Sequence, residues 1–401
     1  MDEAAFYRPT AAHISLDALA HNIAAFRSAL PARMKMMASV KANAYGHGLI
    51  QVAREAEACG IDYLGVAFLD EALTIRRAGI AAPILVLGYV PPEGLPAARR
   101  HDVSIALFRE DVLEAAASLP EDDGRKLKVH IKVDTGMGRL GTLADGSGAA
   151  ERFIEKALAI PRLQVDGVFT HFAKADEADK SYTLLQYERF AGIMHYVRSR
   201  SLPIPILHSA NTAAGMDTPE LGGDMLRLGI GMYGLYPSNE VEFGRVDMRP
   251  VLSLKTEVVH VKTVPPGWGV SYGTRFVADE DTRIGTLPVG YADGFSRMLT
   301  GKAEALLRGR RVPVVGTICM DQCMIALAAA DNAGTFPVLP GEEVILIGSQ
   351  GEERISAEEV ADKLGTINYE LTCMLAARVP RIYIRGGAVV EVSNPLLGGG
   401  M

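Results

Sequence analysis

Val40-Lys41-Ala42-Asn43-Ala44-Tyr45-Gly46-His47-Gly48 joins an apolar run of strand length, 34–40, to a segment of good helix formers, 49–56. Its lysine, Lys41, is therefore predicted to stand where a strand ends and a loop begins. In parallel α/β proteins ligands bind at the carboxyl ends of the strands, so a lysine there is placed to react. Its small neighbours bring the amine close to apolar surface, and desolvation favours the neutral, nucleophilic form. The alternative is a solvated lysine at a strand end.

Short apolar runs alternate with helical segments through the first part of the chain. The helical pattern is clearest at 15–30, 70–77 and 182–199. Eight runs have the length and composition of strands: 35–40, 63–67, 84–87, 103–107, 127–133, 164–169, 205–208 and 225–230. Eight βα repeats in roughly 230 residues favour a (β/α)8 barrel over an open doubly wound sheet.

The pattern changes from about Val246. Residues 252–261 alternate between apolar and polar side chains, Pro-Gly turns recur at 265–267 and 339–341, and long helical patterns nearly vanish. We therefore expect an N-terminal barrel over 1–245, a C-terminal, mainly β-strand domain over 246–387, and an unstructured glycine-rich tail over 388–401.

Composition and charge exclude several classes of protein. The 401 residues are 48% apolar, enough for two domains with large buried cores. The net charge of −7 indicates neither nucleic acid nor an anionic membrane as a partner. The first residues are acidic, and no apolar run approaches the roughly 18 residues that span a bilayer, so a cytoplasmic location is expected. The cysteines lack both a disulfide framework and paired zinc spacing, so we expect reduced thiols and no metal.

The segment 41–48 resembles the cofactor-lysine signature of alanine racemases, which use pyridoxal 5'-phosphate (PLP). Similar segments run from the first strand to Arg378, so the resemblance covers nearly the whole chain. It implies that Lys41 holds PLP covalently. Tyr45, in the loop before the next helix, has a phenol that can reach a ligand phosphate or carboxylate, although a packed aromatic is the alternative.

A second strand end leads into the glycine-rich loop Lys132-Val133-Asp134-Thr135-Gly136-Met137-Gly138-Arg139-Leu140-Gly141. Glycines let backbone approach a ligand, and the planar fork of Arg139 suits a substrate carboxylate or the cofactor phenolate. A turn of glycine and arginine is weak evidence alone. The resemblance adds that the lysine matching Lys132 can be carbamylated, and that its new carboxylate then positions the arginine.

Two further strand ends carry polar side chains. His171 follows the strand at 164–169; a structural histidine is the ordinary interpretation, and the resemblance implies that it braces the PLP ring. Asn211 and Thr212 follow the strand at 205–208 and offer an amide and a hydroxyl that suit phosphate. Family members commonly have serine at the position of Thr212, and threonine keeps the hydroxyl.

Arg227 lies inside the apolar strand 225–230, where an unpaired charge is costly, so it belongs either to a buried ion pair or to a cofactor contact. The resemblance implies that it faces the pyridine nitrogen of PLP, and that Gly229 and Ile230 also bind the cofactor. Arginine does not give up its proton at neutral pH, so the nitrogen would stay unprotonated and the ring would be a weaker electron sink.

The second domain contributes tyrosines. Tyr272 reads by composition as an ordinary hairpin residue, whereas the resemblance implies that it is the second catalytic base. The resemblance also implies that Tyr291, Met320 and Asp321 line the substrate entrance and the alanine pocket, and that Tyr369 is a gate and phosphate residue.

The resemblance therefore predicts an alanine racemase with two bases, Lys41 and Tyr272, on opposite faces of the substrate. It implies a homodimer with shared sites that supplies D-alanine for peptidoglycan. A serine or broad-specificity racemase is the main alternative. PLP-carrier proteins lack the second domain, and the related amino acid decarboxylases carry a reactive cysteine in a His-Gly-Ser context that is absent here. A Schiff-base aldolase would explain Lys41 but not Tyr272.

Overall fold

The computed structural model describes residues 6–121 and 124–397. Their contacts divide the chain into two compact units. The barrel unit comprises residues 19–44 and 49–249, and the β unit comprises the described residues up to 18, residues 45–48 and residues from 250 onward. The lysine segment of the sequence is thus divided between the two units after Ala44.

The barrel unit is a nearly closed barrel of parallel strands, which confirms the predicted fold class. Strand β10 pairs with β2, and the sheet continues in the order β2-β3-β4-β5-β6-β8-β9. Single hydrogen bonds connect the two ends of this sheet. The Asp224 N–H, just before β10, donates to the Leu207 carbonyl of β9 at 2.7 Å, and the Arg227 N–H of β10 donates to the Ala210 carbonyl, just after β9, at 3.1 Å. The chain order of these strands, with β1 and the short β7, is β1 (Ala11–Ser15), β2 (Lys35–Ser39), β3 (Tyr63–Val66), β4 (Ile84–Val86), β5 (Val103–Leu107), β6 (Leu127–Asp134), β7 (Thr142–Leu143), β8 (Leu163–Phe169), β9 (Ile206–His208) and β10 (Met225–Leu228).

Helices follow the barrel strands because their apolar faces pack onto the sheet. In α1, Leu19, Ile23 and Phe26 recur at helical spacing and are buried. Inside the sheet, Met37, Leu85, Ile206 and Met225 form one buried cluster. The helices of this part of the chain are α1 (Leu16–Ala29), α2 (Leu49–Ala58), α3 (Leu69–Arg77), α4 (Leu95–Arg100), α5 (Glu110–Ala117), α6 (Ala149–Leu158), α7 (Ser181–Ser199) and α8 (Thr212–Asp217).

The β unit is mainly strand, as predicted. Its large sheet has the order β12-β15-β18-β17-β16-β19-β11-β1-β21-β22, with β20 paired to β19, while β13 and β14 form a separate pair. Its elements are β11 (Leu252–Glu257), β12 (His260–Val264), β13 (Gly269–Val270), β14 (Phe276–Val277), β15 (Thr282–Leu287), β16 (Glu304–Leu307), β17 (Arg310–Val315), β18 (Cys323–Ala326), α9 (Ala328–Asp331), β19 (Glu343–Gln350), β20 (Glu353–Ile355), α10 (Ala357–Leu364), α11 (Asn368–Cys373), β21 (Arg381–Arg385) and β22 (Ala388–Ser393).

Strand β1 belongs to the sheet of the β unit although it lies near the N-terminus. It pairs antiparallel with β11, with Ala11 opposite Lys255, and parallel with β21, with Ala12 opposite Arg381. No strand is predicted before residue 15 from the sequence pattern. The five residues of β1 are short for a pattern, and what makes them a strand is the pair of neighbours supplied by the other end of the chain.

The segment after Gly387 differs from the expected unstructured tail. Residues 388–393 form β22, which pairs antiparallel with β21. Gly386 and Gly387 have φ of 56° and 78°, so they form a tight turn that glycine makes without strain. The Gly-Gly pair between two β-branched runs was the signal for a hairpin. Residues 398–401 of the predicted tail lie outside the described residues, and the boundaries at 245 and 387 stay predictions.

Among the described residues, no helix has both the length and the apolar content needed to cross a bilayer.

Candidate active site

Lys41 follows the carboxyl end of β2, and a left-handed turn comes after it. The φ angles are 54° at Ala42, 54° at Asn43, 52° at Ala44 and 53° at Tyr45. Left-handed backbone costs an L-residue about 1–2 kcal/mol and is rare in runs. Nothing in the sequence predicts this turn, because none of the four residues is glycine. Strain of this kind persists only where surrounding contacts hold it, and it is concentrated at functional sites.

Hydrogen bonds within the barrel unit hold the chain on both sides of Lys41. The Ala42 N–H donates to Glu71 Oε1 at 2.7 Å, and the Tyr233 hydroxyl donates to the Ser39 carbonyl at 2.9 Å. The sequence analysis singled out neither Glu71 nor Tyr233. The position of Lys41 is therefore fixed by backbone contacts two residues before it and one residue after it.

Lys132 is buried in the barrel, on β6. Its ammonium lies 4.4 Å from the centroid of the Phe169 ring. Burial, with the nearby cations Arg227 and Arg139, lowers the pKa of Lys132 to about 7, and Asp134 opposes this shift. Much of the Lys132 amine is consequently neutral at pH 7, which is the form that reacts with carbon dioxide.

Arg227, on β10, is held by four acceptors. Its NH1 donates to His208 Nδ1 at 2.9 Å. Its NH2 lies within hydrogen-bonding distance of the Thr170 carbonyl (2.8 Å), the Ser209 carbonyl (2.8 Å) and His171 Nδ1 (3.0 Å). The sequence analysis left open an ion pair or a cofactor contact. These acceptors are all neutral, and Arg227 forms no ion pair with any carboxylate in the part of the chain that the structure describes.

The guanidinium of Arg227 keeps its charge and one unused donor. Burial and the proximity of Arg139 lower the pKa of Arg227 to about 9, which leaves it protonated at pH 7. Its Nε makes no hydrogen bond to any residue that the structure describes. The Nε is not among the fully buried polar atoms that lack a partner, so this donor is accessible to a ligand acceptor.

Two histidines that sequence reasoning missed extend this network. His208 Nε2 lies 3.1 Å from His130 Nδ1, and both rings are fully buried. Burial and then the charge of Arg227 lower the pKa of His130 to about 3 and that of His208 well below its ordinary value. The available signal was a polar residue inside the apolar run 127–133.

The segments after β9 and β10 meet around one hydroxyl. Asn211 caps α8 by accepting the Ala214 N–H at 3.0 Å, and Thr212 Oγ1 accepts the Gly229 N–H at 2.9 Å. Ile230 follows at the start of a 3-10 turn. Thr212 keeps its hydroxyl hydrogen for a ligand, so the predicted residues Asn211, Thr212, Gly229 and Ile230 lie together.

Arg139 is exposed in the loop after β6, and the loop is tied down at its base. Asp134 Oδ1 accepts the N–H groups of Gly136 and Gly138 at 2.8 and 3.1 Å. At Gly141, with φ of 129°, a Cβ would lie 2.6 Å from the Asp134 nitrogen, so only glycine fits. The Arg139 guanidinium is therefore exposed, while the backbone of the loop that carries it is fixed in position.

In the β unit, Tyr45 and Tyr369 lie side by side, with ring centroids 6.1 Å apart. The backbone beside Tyr45 is anchored to the same unit. Arg381 Nε donates to the Gly46 carbonyl at 3.2 Å, and the Tyr383 hydroxyl donates to the His47 carbonyl at 3.0 Å. The two predicted phosphate tyrosines are thus brought together on a fixed backbone.

Tyr272 lies in the turn between β13 and β14, with 73% of its surface exposed. Ser271 before it has φ of 67°, and Thr317 Oγ1 donates to the Tyr272 carbonyl at 2.7 Å. A cavity of ≈ 380 Å³ beside it is lined in part by Trp268 and Cys319. The phenol is therefore presented outward from a constrained backbone.

Tyr291, Met320 and Asp321 lie on two loops of the β unit that are joined to each other. The Tyr291 N–H donates to the Cys319 carbonyl at 3.0 Å, and Arg378 donates to Asp321 Oδ1 at 2.5 Å. Arg378 also donates to Asp293 Oδ1 at 2.6 Å.

Asp293 is 1% exposed and was missed by sequence reasoning. Burial raises the pKa of Asp293, but hydrogen bonds from Arg8 and Arg378 outweigh this, and the net pKa lies below its ordinary value. The feature of the sequence that could have indicated Asp293 is an acidic residue between the glycines of Gly290-Tyr291-Ala292-Asp293-Gly294. Asp293 is a fixed anion that, through Arg378, holds in place the two loops that carry Tyr291 and Asp321.

The barrel unit gathers Lys41, Lys132, Arg139, His171, Asn211, Thr212, Arg227, Gly229 and Ile230 at the carboxyl ends of its strands. The β unit carries Tyr45, Tyr272, Tyr291, Met320, Asp321 and Tyr369. Cations, a neutral lysine and a hydroxyl in one site suit an anionic ligand bound through an amine. The fold and these residues define a class of enzyme. Its members have a barrel with a lysine at a strand end and, in the same chain, a β domain that exposes tyrosines.

The model of the alanine racemase N-terminal domain matches residues 14–237, and that of the alanine racemase C-terminal domain matches residues 251–383. The chain belongs to the alanine racemase family, whose members are isomerases.

Alanine racemases of known sequence or structure are similar to this chain over nearly its full length. An alanine racemase of Methanococcus maripaludis is 44% identical over 94% of this chain and 99% of its own. The crystal structure of alanine racemase from Bacillus anthracis with bound L-Ala-P is 41% identical, with a TM-score of 0.90 over 98% of this chain and 100% of that one. Alanine racemase of Clostridium difficile 630 in complex with cycloserine is 36% identical, with a TM-score of 0.88 over 98% of this chain and 100% of that one.

Proposed function

We propose that this protein binds PLP and interconverts L-alanine and D-alanine. The observation that carries the proposal is Lys41 at the carboxyl end of β2 in a chain of the alanine racemase family. A barrel of this type places its reacting groups at that end of the strands. The L-Ala-P bound to the similar Bacillus anthracis enzyme supports alanine as the substrate.

The residues of the barrel unit fit PLP. Thr212 and Ile230 would hold its phosphate through a hydroxyl and a backbone N–H group, with Gly229 fixed beside them by its hydrogen bond to Thr212. The resemblance to the family assigns phosphate-binding phenols to Tyr45 and Tyr369, whose rings lie together in the β unit. The unused Nε donor of Arg227 fits an aromatic nitrogen, because arginine donates and does not accept. His171 would brace the ring, and Asn211 fixes the backbone of the phosphate site.

Bound PLP supplies an electron sink that makes the substrate Cα proton acidic. Arg227 keeps that sink weak, because a guanidinium with a pKa of about 9 does not protonate the pyridine nitrogen at pH 7. A weak sink limits side reactions at the same carbon.

Lys41 and Tyr272 would act as the two bases. The Lys41 amine would hold the cofactor, and as a free amine it would take or return the substrate Cα proton on one face. The Tyr272 phenol does the same on the other face. Removal on one face and return on the opposite face inverts the configuration.

Arg139 would bind the substrate carboxylate or the cofactor phenolate through its fork. Carbamylation of Lys132 would convert one of several neighbouring cations into an anion. An anion at this point would attract Arg139, whereas an ammonium repels it. Met320, Asp321 and Tyr291 would line the approach to the substrate and limit its size.

We propose further that the protein is a homodimer whose sites combine residues of both subunits. Tyr272, Trp268 and Met320 are 73, 57 and 53% exposed, which is high for large side chains with apolar surface. A second copy of the chain is the partner that would cover them. A cytoplasmic enzyme that supplies D-alanine for peptidoglycan is the corresponding cellular role.

A serine or broad-specificity racemase is the alternative, because a small pocket excludes one additional hydroxyl group only weakly. Racemisation assays over a panel of amino acids decide between the two. We expect the highest kcat/KM for alanine, with Lys41→Ala and Tyr272→Phe nearly inactive on every substrate. A tenfold preference for serine would reassign the substrate, and full activity of Lys41→Ala would remove the proposed reaction altogether.

A further inference from the structure

The three histidines around Arg227 are joined to it in a continuous chain of contacts. Arg227 NH1 lies 2.9 Å from His208 Nδ1, and His208 Nε2 lies 3.1 Å from His130 Nδ1. On the other side, Arg227 NH2 lies 3.0 Å from His171 Nδ1. The two contacts of His208 use different ring nitrogens, so they form together. The two hydrogens of Arg227 NH2 are shared among His171 Nδ1 and the carbonyls of Thr170 and Ser209, which both lie at 2.8 Å.

The chemistry of arginine fixes the direction of every bond in this chain. Arginine has no acceptor, so Nδ1 of His208 and Nδ1 of His171 must both accept. The single hydrogen of neutral His208 is then on Nε2, which donates to His130 Nδ1. The single hydrogen of neutral His130 is in turn on Nε2. A hydrogen on His130 Nδ1 would leave His208 with no hydrogen at all.

The surroundings keep the histidines neutral. Burial and the charge of Arg227 lower the pKa of His130 to about 3, and burial and the same charge hold the pKa of His208 and His171 well below the ordinary value. The other titratable groups that act on them are Lys132, Arg139 and Lys41, and in its positively charged form each of these lowers the pKa of the histidines further. The Tyr63 ring meets His130 edge-to-face at 5.7 Å, and its pKa is raised to about 12 by burial, so the phenol is neutral too.

The fold makes room for His130. At Gly167, on the neighbouring strand β8, a Cβ would lie 2.3 Å from His130 Nδ1. The pairing of β6 with β8 also shifts register between Val129 and His130. Phe169 stacks on His208 at 4.9 Å with 10° between the planes. A glycine, an irregular register and a stacked ring together hold the two histidines in line.

We propose that His208 and His130 are positioning residues, which form a one-way hydrogen-bond chain that starts at Arg227 and fixes the plane of its guanidinium toward the bound cofactor. The chain deepens the proposed function, since it explains how a buried cation is held without a carboxylate. A carboxylate in place of His208 would neutralise Arg227, whereas a neutral acceptor orients it and leaves its charge in the site.

The first test uses the wild-type protein with bound cofactor, labelled with 15N at histidine. Long-range 15N–1H correlation spectra report which ring nitrogen carries hydrogen, and loss of a signal in single His→Asn variants assigns each residue. We expect His130, His208 and His171 to be neutral with hydrogen on Nε2 from pH 6 to pH 8. Hydrogen on Nδ1, or a doubly protonated ring, at any of the three overturns the chain. This measurement does not depend on which amino acid is racemised.

The second test separates positioning from mere packing. His130→Leu removes the acceptor of His208, whereas the Oδ1 of His130→Asn replaces it. We expect kcat to fall about tenfold in His130→Leu, which corresponds to about 1.4 kcal/mol, with KM nearly unchanged, and to recover to within about twofold in His130→Asn. His195→Leu and His195→Asn, at an exposed position of α7, are the matched controls and should leave kcat unchanged. Equal kcat in His130→Leu and His130→Asn overturns the positioning role. If His130→Leu does not fold, the spectra of the wild type still decide the direction of the chain.

Discussion

Lys132 is a cation in an interior position, with 4% of its surface exposed and other cations around it. Burial disfavours the ammonium, and neighbouring positive charges disfavour it further. The pKa of about 7 means that the neutral amine predominates above pH 7 and the ammonium below it. Carbon dioxide adds to the neutral amine alone, so carbamylation of this residue is expected to depend on pH.

We therefore expect a carbamate at Lys132 whose occupancy rises as pH increases through about 7. Under a fixed pressure of 13C-labelled carbon dioxide, the carbamate signal in 13C spectra should grow between pH 6 and pH 8 and be absent in Lys132→Met. Lys128→Met is the matched control, because Lys128 lies on the same strand, is 35% exposed and pairs with Asp102. A signal that survives Lys132→Met, or that is constant over this range, would contradict the expectation.

Single residues differ in how far their position could be predicted. Arg227 was noticeable in the sequence because a permanent charge in an apolar strand demands an explanation. His130 occupies an equally apolar strand, but a histidine can be neutral, so its position alone indicated nothing. Its partner His208 lies 78 residues further along the chain. The hydrogen bond between the two histidine rings, which indicates their role, forms only when the barrel has folded.

The left-handed turn over 42–45 is the element with the most backbone strain near Lys41. Four residues at about 1–2 kcal/mol each must be offset by the contacts that hold the turn and the residues after it. Within the β unit these include the hydrogen bonds from Arg381 and Tyr383 to the Gly46 and His47 carbonyls. A Cβ at Gly46 would lie 2.0 Å from the Thr372 carbonyl oxygen, so the backbone there is tightly packed.

We expect Tyr383→Phe to loosen this element. The variant keeps the ring and leaves the buried His47 carbonyl without its donor, which costs about 1–3 kcal/mol. Hydrogen–deuterium exchange followed by mass spectrometry should show faster exchange in the peptide that covers 41–49. Tyr196→Phe, which loses a hydroxyl contact to Glu155 on the exposed side of α7, should leave that peptide unchanged. Unchanged exchange in Tyr383→Phe would mean that other contacts hold the turn.

Regular elements were largely predictable, and this turn was not. Each barrel strand is recognisable as a local apolar run, because its side chains are buried against neighbouring strands and helices that are also apolar. The turn over 42–45 has no such local cause. Ala, Asn and Tyr prefer right-handed backbone, and only contacts from distant segments hold them otherwise.

At the scale of the whole molecule, Lys41 belongs to the barrel unit and Tyr272 to the β unit. If the proposed homodimer shares its sites, inactive variants should complement each other. A mixed dimer of Lys41→Ala and Tyr272→Ala would contain one site with both lesions and one with neither. Random re-assortment of equal amounts makes about half of the dimers mixed, so about a quarter of wild-type activity should return.

The matched control mixes Lys41→Ala with Arg227→Ala. Both lesions lie in the barrel unit, so every site of that mixed dimer keeps one of them and no activity should return. Mass measurements on subunits with different tags confirm the exchange. Recovery no greater than the sum of the two parents, once exchange is confirmed, would place Lys41 and Tyr272 of the same chain in one site.

The barrel and the mainly β unit were predicted from the alternation of patterns, and this fold class is confirmed. The place of β1 was not, because its pattern is five residues long and its partners are β11 and β21. Pairing between strands that are far apart in sequence produces no hydrophobic periodicity by which the strand could be predicted locally. The two hydrogen-bonded neighbours of β1 both come from beyond residue 250.

This pairing has a consequence for biosynthesis. β1 leaves the ribosome before the other strands that the structure describes, and β21 leaves after all of them except β22. At about 5–20 residues per second, β1 waits roughly 20 to 70 s for that partner. All the barrel strands emerge within this interval, while both edges of β1 still lack their backbone partners. Among the described strands, β1 is therefore one of the first to be made and one of the last to be fully paired.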